Sequence, residues 1–473
     1  MSGNLTQIEQ DLRQSSEALQ DLRSKYDGAL VKIGEANEAC KNELESKKTE
    51  ALEALEASKS EQGIKIAALE GKMEELESRF ITDENQILIK VGNNADEGEI
   101  ASLKEALNLA LKYSPSIPQS VTREKNRVVI EIQEGWEWRE AIGLYHIDLS
   151  HIILTQKNFD VPIMCDVYKD NMVLENGFLG KLHLIDSKIS IDKLHLKAKA
   201  IDLKDNNTSW VTSFIIVYNN SSLFAKNLKL DTSLLTSTAG DMGWGQLNRG
   251  AFPVWIGRNS DVSINSYESI DTNTGSIARE QAFSLMESSR AYVNTLKMSG
   301  NRCYSNAVYI TAASSAYIGN ITISGNSGHN GVLIDAASSA YIANITISGN
   351  SGHNGVLINA ASSAHIANIT ISGNSGHNGV LINAASSAYI ANITISGRSG
   401  HQHLLVDGSR LTNHASCNFT GGSTGNNQKL AIVRGGLATV AGNGYSRGAG
   451  NDANQAVGVW SAHGSWCFYG NRT

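Results

Sequence analysis

The chain has 473 residues and a formal net charge of −7, and residues 1–80 carry 17 acidic and 11 basic side chains. The rest of the chain is therefore close to neutral and has no basic stripe, which argues against a nucleic-acid partner. With 43 glycines, 4 prolines and 6% aromatic residues, the composition favours small, regular, stacked units over a compact enzyme.

Targeting and metal-binding signals are missing from the sequence. The start, MSGNLTQIEQDLRQ, lacks the apolar core of a signal peptide, and no run of 18 apolar residues follows. We therefore expect synthesis in the cytoplasm and no membrane insertion. The cysteines are scattered, odd in number and without CxxC spacing, so no disulfide framework, metal site or cofactor is expected. They are Cys40, Cys165, Cys303, Cys417 and Cys467.

Apolar residues recur in heptads in the first 80 residues, which predicts a helix with one apolar seam that needs partner helices. We predict a coiled-coil oligomerisation stalk over residues 1–80, roughly 120 Å long at 1.5 Å per residue. A charged hairpin that folds back at Gly63 is the alternative, and the core residues do not distinguish a dimer from a trimer. One core position holds Leu5, Leu12, Leu19, Tyr26, Ile33 and Cys40, and the other holds Ile8, Leu22, Ala29 and Ala36.

Residues 81–126 change from a short strand to an amphipathic helical pattern. A stacked β-structure leaves the apolar cross-section of its first layer open to water, so a covering element is needed. We predict that this segment is an N-terminal cap whose helix buries one stripe. The stripe consists of Ile100, Leu103, Ala106, Leu107 and Leu111.

Short strands separated by turn residues fill residues 127–473, and no helical period interrupts them. Four near-identical 24-residue units occupy residues 313–408 and begin at Ala313, Ala337, Ala361 and Ala385. Twenty-four residues supply about three short strands and their bends, so one unit predicts one coil that advances roughly 4.8 Å. The predicted fold class is mainly β, a single-stranded parallel β-helix after an α-helical stalk.

Two polar residues recur in these units. Asn320, Asn344, Asn368 and Asn392 predict a structural ladder of amides at a strand bend. His329, His353, His377 and His401 recur in a turn. Because no carboxylate repeats near these histidines, solvated turn residues are favoured over a metal site.

The long irregular insertion between Leu235 and Asp261 is the candidate site, because long loops on a rigid scaffold tend to carry function. Its tryptophans are candidates for stacking on sugar rings, and its Arg and Asp residues for orienting hydroxyls or acidic sugars. A packing loop whose tryptophans are buried against a neighbouring subunit is an equal alternative. The carbohydrate-binding candidates are Asp241, Trp244, Arg249, Trp255 and Arg258.

Catalytic residues are not identified by the sequence. A glycosidase usually needs two carboxylates at a set separation, and Asp241 with Asp261, or Glu268 with Asp271, are pairs to test. Their separation is not readable from sequence, and residues 313–408 hold only three charged side chains. The sequence therefore leaves enzymatic activity open, with polysaccharide hydrolysis or lysis as the class to test.

The combination of segments resembles the tail fibres and tailspikes of tailed bacteriophages. The resemblance covers roughly residues 85–473 and rests on the repeat AYIANITISGNSGHNGVLINA and on ADEGEIASLKEALNLAL followed by VVIEIQEG. It implies a pectate-lyase-like right-handed parallel β-helix in an elongated homotrimer. It also implies a location in the virion tail, other tail or baseplate proteins as partners, and recognition of bacterial surface polysaccharide.

Three functions follow as expectations. The first is a fibre that attaches to the particle by its N-terminal coil and binds host cell-surface glycan. The second is a purely structural fibre segment that holds another receptor-binding protein, and the third is a polysaccharide depolymerase. The charge-poor repeats and the missing acidic cluster favour the first two over the third.

Overall fold

The computed structural model describes residues 2–81, 87–115, 128–168, 172–175, 178–202, 211–236, 252–272, 281–300, 302–420, 430–433, 436–441, 460–461 and 466–470. The chain forms two units, Met1–Arg79 and Phe80–Thr473. Asp241, Trp244 and Arg249 lie outside the described residues.

The first unit is one helix, α1, which spans Ser2–Arg79. It continues without a break through Gly63, so the alternative of a hairpin that folds back there is wrong. The heptad seam is exposed along this helix: Leu12 is 65% exposed and Leu19 is 66% exposed. No helix in the described part of the chain is both long and apolar enough to cross a membrane.

The second unit is mainly β and contains two long sheets, whose strands are numbered here along the chain. The first long sheet has 16 strands. They are β2 Ile87–Val91, β4 Val128–Ile132, β5 Glu137–Trp138, β7 Asp148–Gln156, β8 Ile163–Cys165, β11 Lys188–Ala198, β14 Ser222–Asp231, β17 Asp261–Asp271, β19 Arg290–Gly300, β22 Ser315–Ile323, β25 Ser339–Ile347, β27 Ser363–Ile371, β29 Ser387–Ile395, β31 Arg410–Phe419, β33 Leu437–Ala441 and β35 Trp466–Gly470.

The second long sheet has 13 strands. They are β6 Ile142–Tyr145, β9 Val173–Glu175, β10 Phe178–Ile185, β13 Val211–Tyr218, β16 Val254–Ile256, β18 Phe283–Leu285, β21 Val308–Ile310, β24 Val332–Ile334, β26 Val356–Ile358, β28 Val380–Asn383, β30 Leu404–Asp407, β32 Leu430–Val433 and β34 Trp460–Ser461. Three small pairs complete the strands within the described residues: β1 Phe80–Ile81 with β3 Ser114–Pro115, β12 Ile201–Asp202 with β15 Leu235–Thr236, and β20 Arg302–Cys303 with β23 Asn326–Ser327.

Strand pairing in the repeats is parallel and in register. Ser339 pairs with Ser363, and Ser363 pairs with Ser387, so each pair joins residues 24 positions apart. The same offset joins Val332 to Val356 in the second long sheet. The chain passes alternately between the two sheets, a topology compatible with a parallel β-helix.

The core lies on the inner faces of the two long sheets, because alternate side chains of each strand point inward. In β25 the side chains of Ala340, Ile342, Ile345 and Ile347 are buried. In-register pairing places each isoleucine beside the equivalent isoleucine of the next unit, so the interior is built from continuous aliphatic rows. Gly373 shows how close the units are, since a Cβ there would clash with the backbone oxygen of Gly349.

A short helix, α2, spans Leu103–Ala110 and packs on β2 and β4. Ser102 caps it by accepting a hydrogen bond from the backbone N–H of Glu105. The predicted stripe was wrong at its two ends. Ile100 precedes the cap and pairs with Val91 as a β-bridge, and Leu111 follows the last turn and is 42% exposed.

The junction between successive 24-residue units is a left-handed corner. Ala360 has φ 50° and Ala361 has φ 60°. The left-handed region costs an L-residue roughly 1–2 kcal/mol, although Asn tolerates it well. Earlier turns carry Asn219–Asn220 in this conformation.

We therefore expect Ala361→Asn to stabilise the protein by about 0.5–1 kcal/mol, because Asn reduces the corner strain. Thermal unfolding would measure this as a higher Tm. The matched control is Ala367→Asn within β27, where Asn is a poor strand former and should bring no gain. A lower Tm for Ala361→Asn than for the control would contradict the strain argument.

Candidate functional site

A row of aromatic rings runs along the outside of the first long sheet. Tyr292, Tyr317, Tyr341, His365 and Tyr389 occupy the same register position on successive strands. Their ring centroids are 5.0, 5.0, 4.7 and 4.5 Å apart, and neighbouring ring planes differ by 8° or less. We call these five side chains the aromatic row.

Local sequence explains why the row faces outward. In each unit the aromatic residue alternates with small or aliphatic residues that point inward, as Tyr341 does between Ala340 and Ile342. Tyr317 is 45% exposed and Tyr341 is 43% exposed. The row was not predicted, although its tyrosines recur at intervals of 24, 25 or 48 residues. Contiguous exposed apolar surface is a common feature of interaction sites, so the aromatic row is the candidate site.

A groove of about 620 Å³ follows the row. Serine side chains line it beside the rings, at Ser315, Ser339 and Ser363. Its walls therefore combine apolar ring surface with hydroxyl groups, a combination that suits ligands with C–H faces and hydroxyl edges.

An ion pair stands at one end of this groove. Arg290 donates two hydrogen bonds to the carboxylate of Asp261, at 2.7 Å from Nε and 2.9 Å from Nη2. These bonds raise the pKa of Arg290. The bidentate geometry holds both groups in fixed positions beside the first ring of the row.

Two of the predicted carbohydrate-binding residues lie within the described structure, and they are not brought together on an open platform. Trp255 is only 8% exposed and packs edge-on against Phe252, with ring centroids 5.0 Å apart. It cannot offer a face to a sugar, so that interpretation of Trp255 was wrong. The guanidinium of Arg258 lies 4.9 Å from the ring centre of Tyr218 and 3.8 Å from the carboxylate of Glu287.

The predicted carboxylate pairs are likewise held by other contacts. Asp261 bonds Arg290, as described above, and Glu268 lies 2.8 Å from the ammonium of Lys297. Asp271 is 1% exposed and belongs to the interior. Among the described residues that line the groove, Asp261 is the only carboxylate, so a second catalytic carboxylate is missing from that set.

The four predicted asparagines form a continuous chain of side-chain hydrogen bonds. Asn344 donates to Asn320 at 2.8 Å, Asn368 donates to Asn344 at 2.7 Å, and Asn392 donates to Asn368 at 2.8 Å. Ser416 extends the chain by donating to Asn392 at 2.8 Å. Each of these amides therefore has a hydrogen-bond partner along the stacking direction, which gives the four asparagines a structural role.

Three of the four turn histidines stack on one another, and His401 meets His377 edge-on with ring centroids 5.1 Å apart. The ring centroids of His329 and His353 are 4.7 Å apart, and those of His353 and His377 are 4.6 Å apart. Burial lowers the pKa of these three imidazoles, and the neighbouring histidine lowers the pKa of His353 and His377 further. Within the described ranges, no group of three or more His, Cys, Asp or Glu side chains is arranged to hold a metal ion.

Comparisons with known proteins do not identify a relative. No family model matches the sequence, and neither a curated protein nor a solved structure is similar enough to count as a match.

The stacked histidines predict a pH-dependent stability. Their folded-state pKa values lie below the ordinary value of 6.5, so the unfolded chain binds more protons. The stability that they contribute is complete above about pH 6.5 and is lost as the pH falls. We expect Tm to decrease from pH 7.5 to pH 5, and His353→Gln with His377→Gln to reduce that decrease.

Substitution of the exposed His146 by Gln is the control, because it leaves the stacked histidines intact. Thermal unfolding at each pH, followed by circular dichroism, measures the effect. An identical pH dependence in the wild type and the double variant would contradict the linkage.

Proposed function

We propose that the chain is a subunit of a virion tail fibre or spike, which attaches to the particle by its N-terminal helix and binds a host cell-surface glycan through the β-rich unit. The observation that carries this proposal is the exposed aromatic row with its serine-lined groove. The resemblance of the repeats to phage tail fibres and tailspikes gives the biological setting.

The finer architecture belongs to the same proposal. Each 24-residue unit forms one coil of a right-handed parallel β-helix, and successive coils stack by pairing of equivalent residues. The registers of Ser339 with Ser363 and of Val332 with Val356 support this reading. Twenty-four residues also match the length needed for three short strands and their bends.

Glycan binding is supported by the chemistry of the groove. A sugar residue has apolar C–H faces and hydroxyl edges, and the groove offers ring surface beside the hydroxyls of Ser315 and Ser339. The backbone register fixes these groups, so little ordering is needed when a ligand binds. Repetition along the sheet provides the same contacts several times, which suits a polymer better than a small metabolite.

Oligomerisation is supported by the exposed seam of α1. Leu5, Leu12, Leu19 and Tyr26 are 64–67% exposed in the single chain. Burying a leucine contributes roughly 1.5–3 kcal/mol, and most helices depend on such packing rather than on propensity. A parallel coiled coil would bury the seam, and the family resemblance favours three strands.

A structural fibre segment is the second candidate. In the aromatic row the rings cover one another's faces. Stacked rings stabilise the sheet that carries them, so the row also fits a purely structural role. A depolymerase has less support, because Asp261 is tied to Arg290 and no second carboxylate lines the described groove.

Replacement of the seam tests the oligomeric part of the proposal. The full chain should have three times the subunit mass of 50.8 kDa in light scattering, and Leu12→Glu with Leu19→Glu should reduce that mass towards the monomer by placing charges in the seam. Gln10→Glu with Ser24→Glu adds the same charge outside the seam and should leave the mass unchanged. A monomeric wild-type chain would refute the fibre proposal.

Electrophoresis of the full chain through gels that contain polysaccharide tests the glycan-binding part. The proposal predicts retardation of the intact oligomer and weaker retardation of the Leu12→Glu, Leu19→Glu variant, since fewer linked sites reduce avidity. An assay for new reducing ends or unsaturated sugars should be negative. Product release would favour the depolymerase, and no retardation together with assembly onto a second protein would favour the structural segment.

A further inference from the structure

The aromatic row has a gap beyond its first ring. Phe224 on β14, Ser263 on β17 and Tyr292 on β19 occupy one register position on three adjacent strands. Phe224 is 51% exposed and Tyr292 is 53% exposed, so both rings point outward. Adjacent strands lie 4.7–4.9 Å apart, so the Cα atoms of Phe224 and Tyr292 lie about 9.5 Å from each other. The small side chain of Ser263 forms the floor between them.

The width of this gap matches one six-membered ring. Rings within the aromatic row stack at 4.5–5.0 Å, and a ring midway between Phe224 and Tyr292 would lie about 4.7 Å from each. Within the row each inner ring has a ring at the same register position on both neighbouring strands, whereas Tyr292 has Tyr317 on one side and Ser263 on the other. Tyr292 is accordingly more exposed, at 53%, than Tyr317 at 45%. We call the space that Phe224, Ser263 and Tyr292 enclose the slot.

Both edges of the slot are polar. Residues two positions apart lie on the same face of a strand, about 6.6 Å from each other. Two positions before the slot is the Asp261–Arg290 ion pair. Two positions after it, Asn294 donates a hydrogen bond to Asn265 at 3.2 Å, and both amides are exposed. The slot thus has two apolar walls and a hydrogen-bonding group along each open edge.

This pattern is the complement of a pyranose ring, which has two C–H faces and a rim of hydroxyls. A purely aromatic ligand would fit the walls but would leave the polar edges without partners, which is unfavourable when they lose water. The ion pair has no net charge and offers N–H donors beside carboxylate acceptors. Two adjacent hydroxyls of one sugar can form hydrogen bonds to both kinds of group. A uronic acid would have to place its carboxylate beside that of Asp261 to reach the guanidinium of Arg290, whose charge Asp261 already neutralises.

We propose that the slot binds one neutral hexopyranose residue of a polysaccharide, with that sugar ring between Phe224 and Tyr292. The adjoining sugars of the polymer then lie along the groove of the aromatic row. This inference rests on the proposed glycan-binding function and names the sugar class and the position at which recognition occurs.

Ser263→Tyr is the informative variant, because it would complete the aromatic row. The new ring would stack on Phe224 and Tyr292 at the spacing that the row already uses, so the fold should be retained while the slot is filled. Thr346→Tyr is the matched control, since it adds the same ring at an exposed position of β25 that belongs to neither the slot nor the groove. Circular dichroism and Tm of both variants verify folding.

The experiment is electrophoresis of the full chain through gels containing dextran, mannan or galactan as neutral polymers, and polygalacturonate as the acidic one. We expect at least one neutral polymer to retard the wild type and Thr346→Tyr to the same extent. For Ser263→Tyr the apparent affinity for that polymer should fall by about tenfold or more, the change that corresponds to 1.4 kcal/mol.

The outcomes separate the slot from the wider proposal. Equal retardation of Ser263→Tyr and the wild type would overturn the slot and leave glycan binding standing. An equal loss in Ser263→Tyr and Thr346→Tyr would assign the loss to the added ring itself and overturn the slot as well. Retardation by polygalacturonate alone would overturn the neutral sugar class. No retardation of the wild type by any polymer would count against the proposed glycan-binding function itself.

Discussion

Parallel pairing of residues 24 positions apart is the constraint on which the rest of the β-rich repeats depends. It stacks Ile342 on Ile366 in the core, Asn344 on Asn368 at the bend, and Tyr341 on His365 on the outer face of the sheet. The spacing between units is so small that Gly373 has no room for a side chain opposite Gly349. A shift of one residue would turn every inward side chain outward, so the repeat fixes core, amide chain and aromatic row together.

The same constraint makes the outer surface a rigid array. Ring positions are set by backbone hydrogen bonds and by contact with neighbouring rings, rather than by a mobile loop. Adding or removing a whole unit would lengthen or shorten the row without changing its spacing. The array is the same from unit to unit, and our proposal places recognition where the pattern is interrupted, at Ser263 between Phe224 and Tyr292.

How much could be predicted from sequence differs between features. The heptads anticipated a helix over the first 80 residues, and the exact 24-residue repeat anticipated parallel strands with Asn320 and Asn344 next to each other. Trp255 was misjudged because a tryptophan in an irregular stretch carries no periodic signal for its direction, and β16 is too short to supply one. The aromatic row was within reach of the alternation rule, because Tyr341 sits between the inward Ala340 and Ile342.

The slot was not within reach of sequence reasoning. Phe224, Ser263 and Tyr292 are 39 and 29 residues apart, since insertions of unequal length separate β14, β17 and β19. No repeat relates these strands, so only their hydrogen-bond register reveals that they are neighbours. The ion pair of Asp261 with Arg290 depends on the same register.

The most direct test of the account is disulfide formation between outward positions of successive units, in a background where the exposed Cys40 is replaced by serine. Thr346 pairs with Thr370, and Thr370 pairs with Thr394. Neighbouring positions lie about 4.8 Å apart, within disulfide reach, whereas Thr346 and Thr394 lie about 9.6 Å apart, beyond it. The account predicts that Thr346→Cys with Thr370→Cys forms an intramolecular bond on mild oxidation, and that Thr346→Cys with Thr394→Cys does not. Equal cross-linking of both pairs, or cross-linking of the second pair alone, would contradict the 24-residue register and with it the aromatic row.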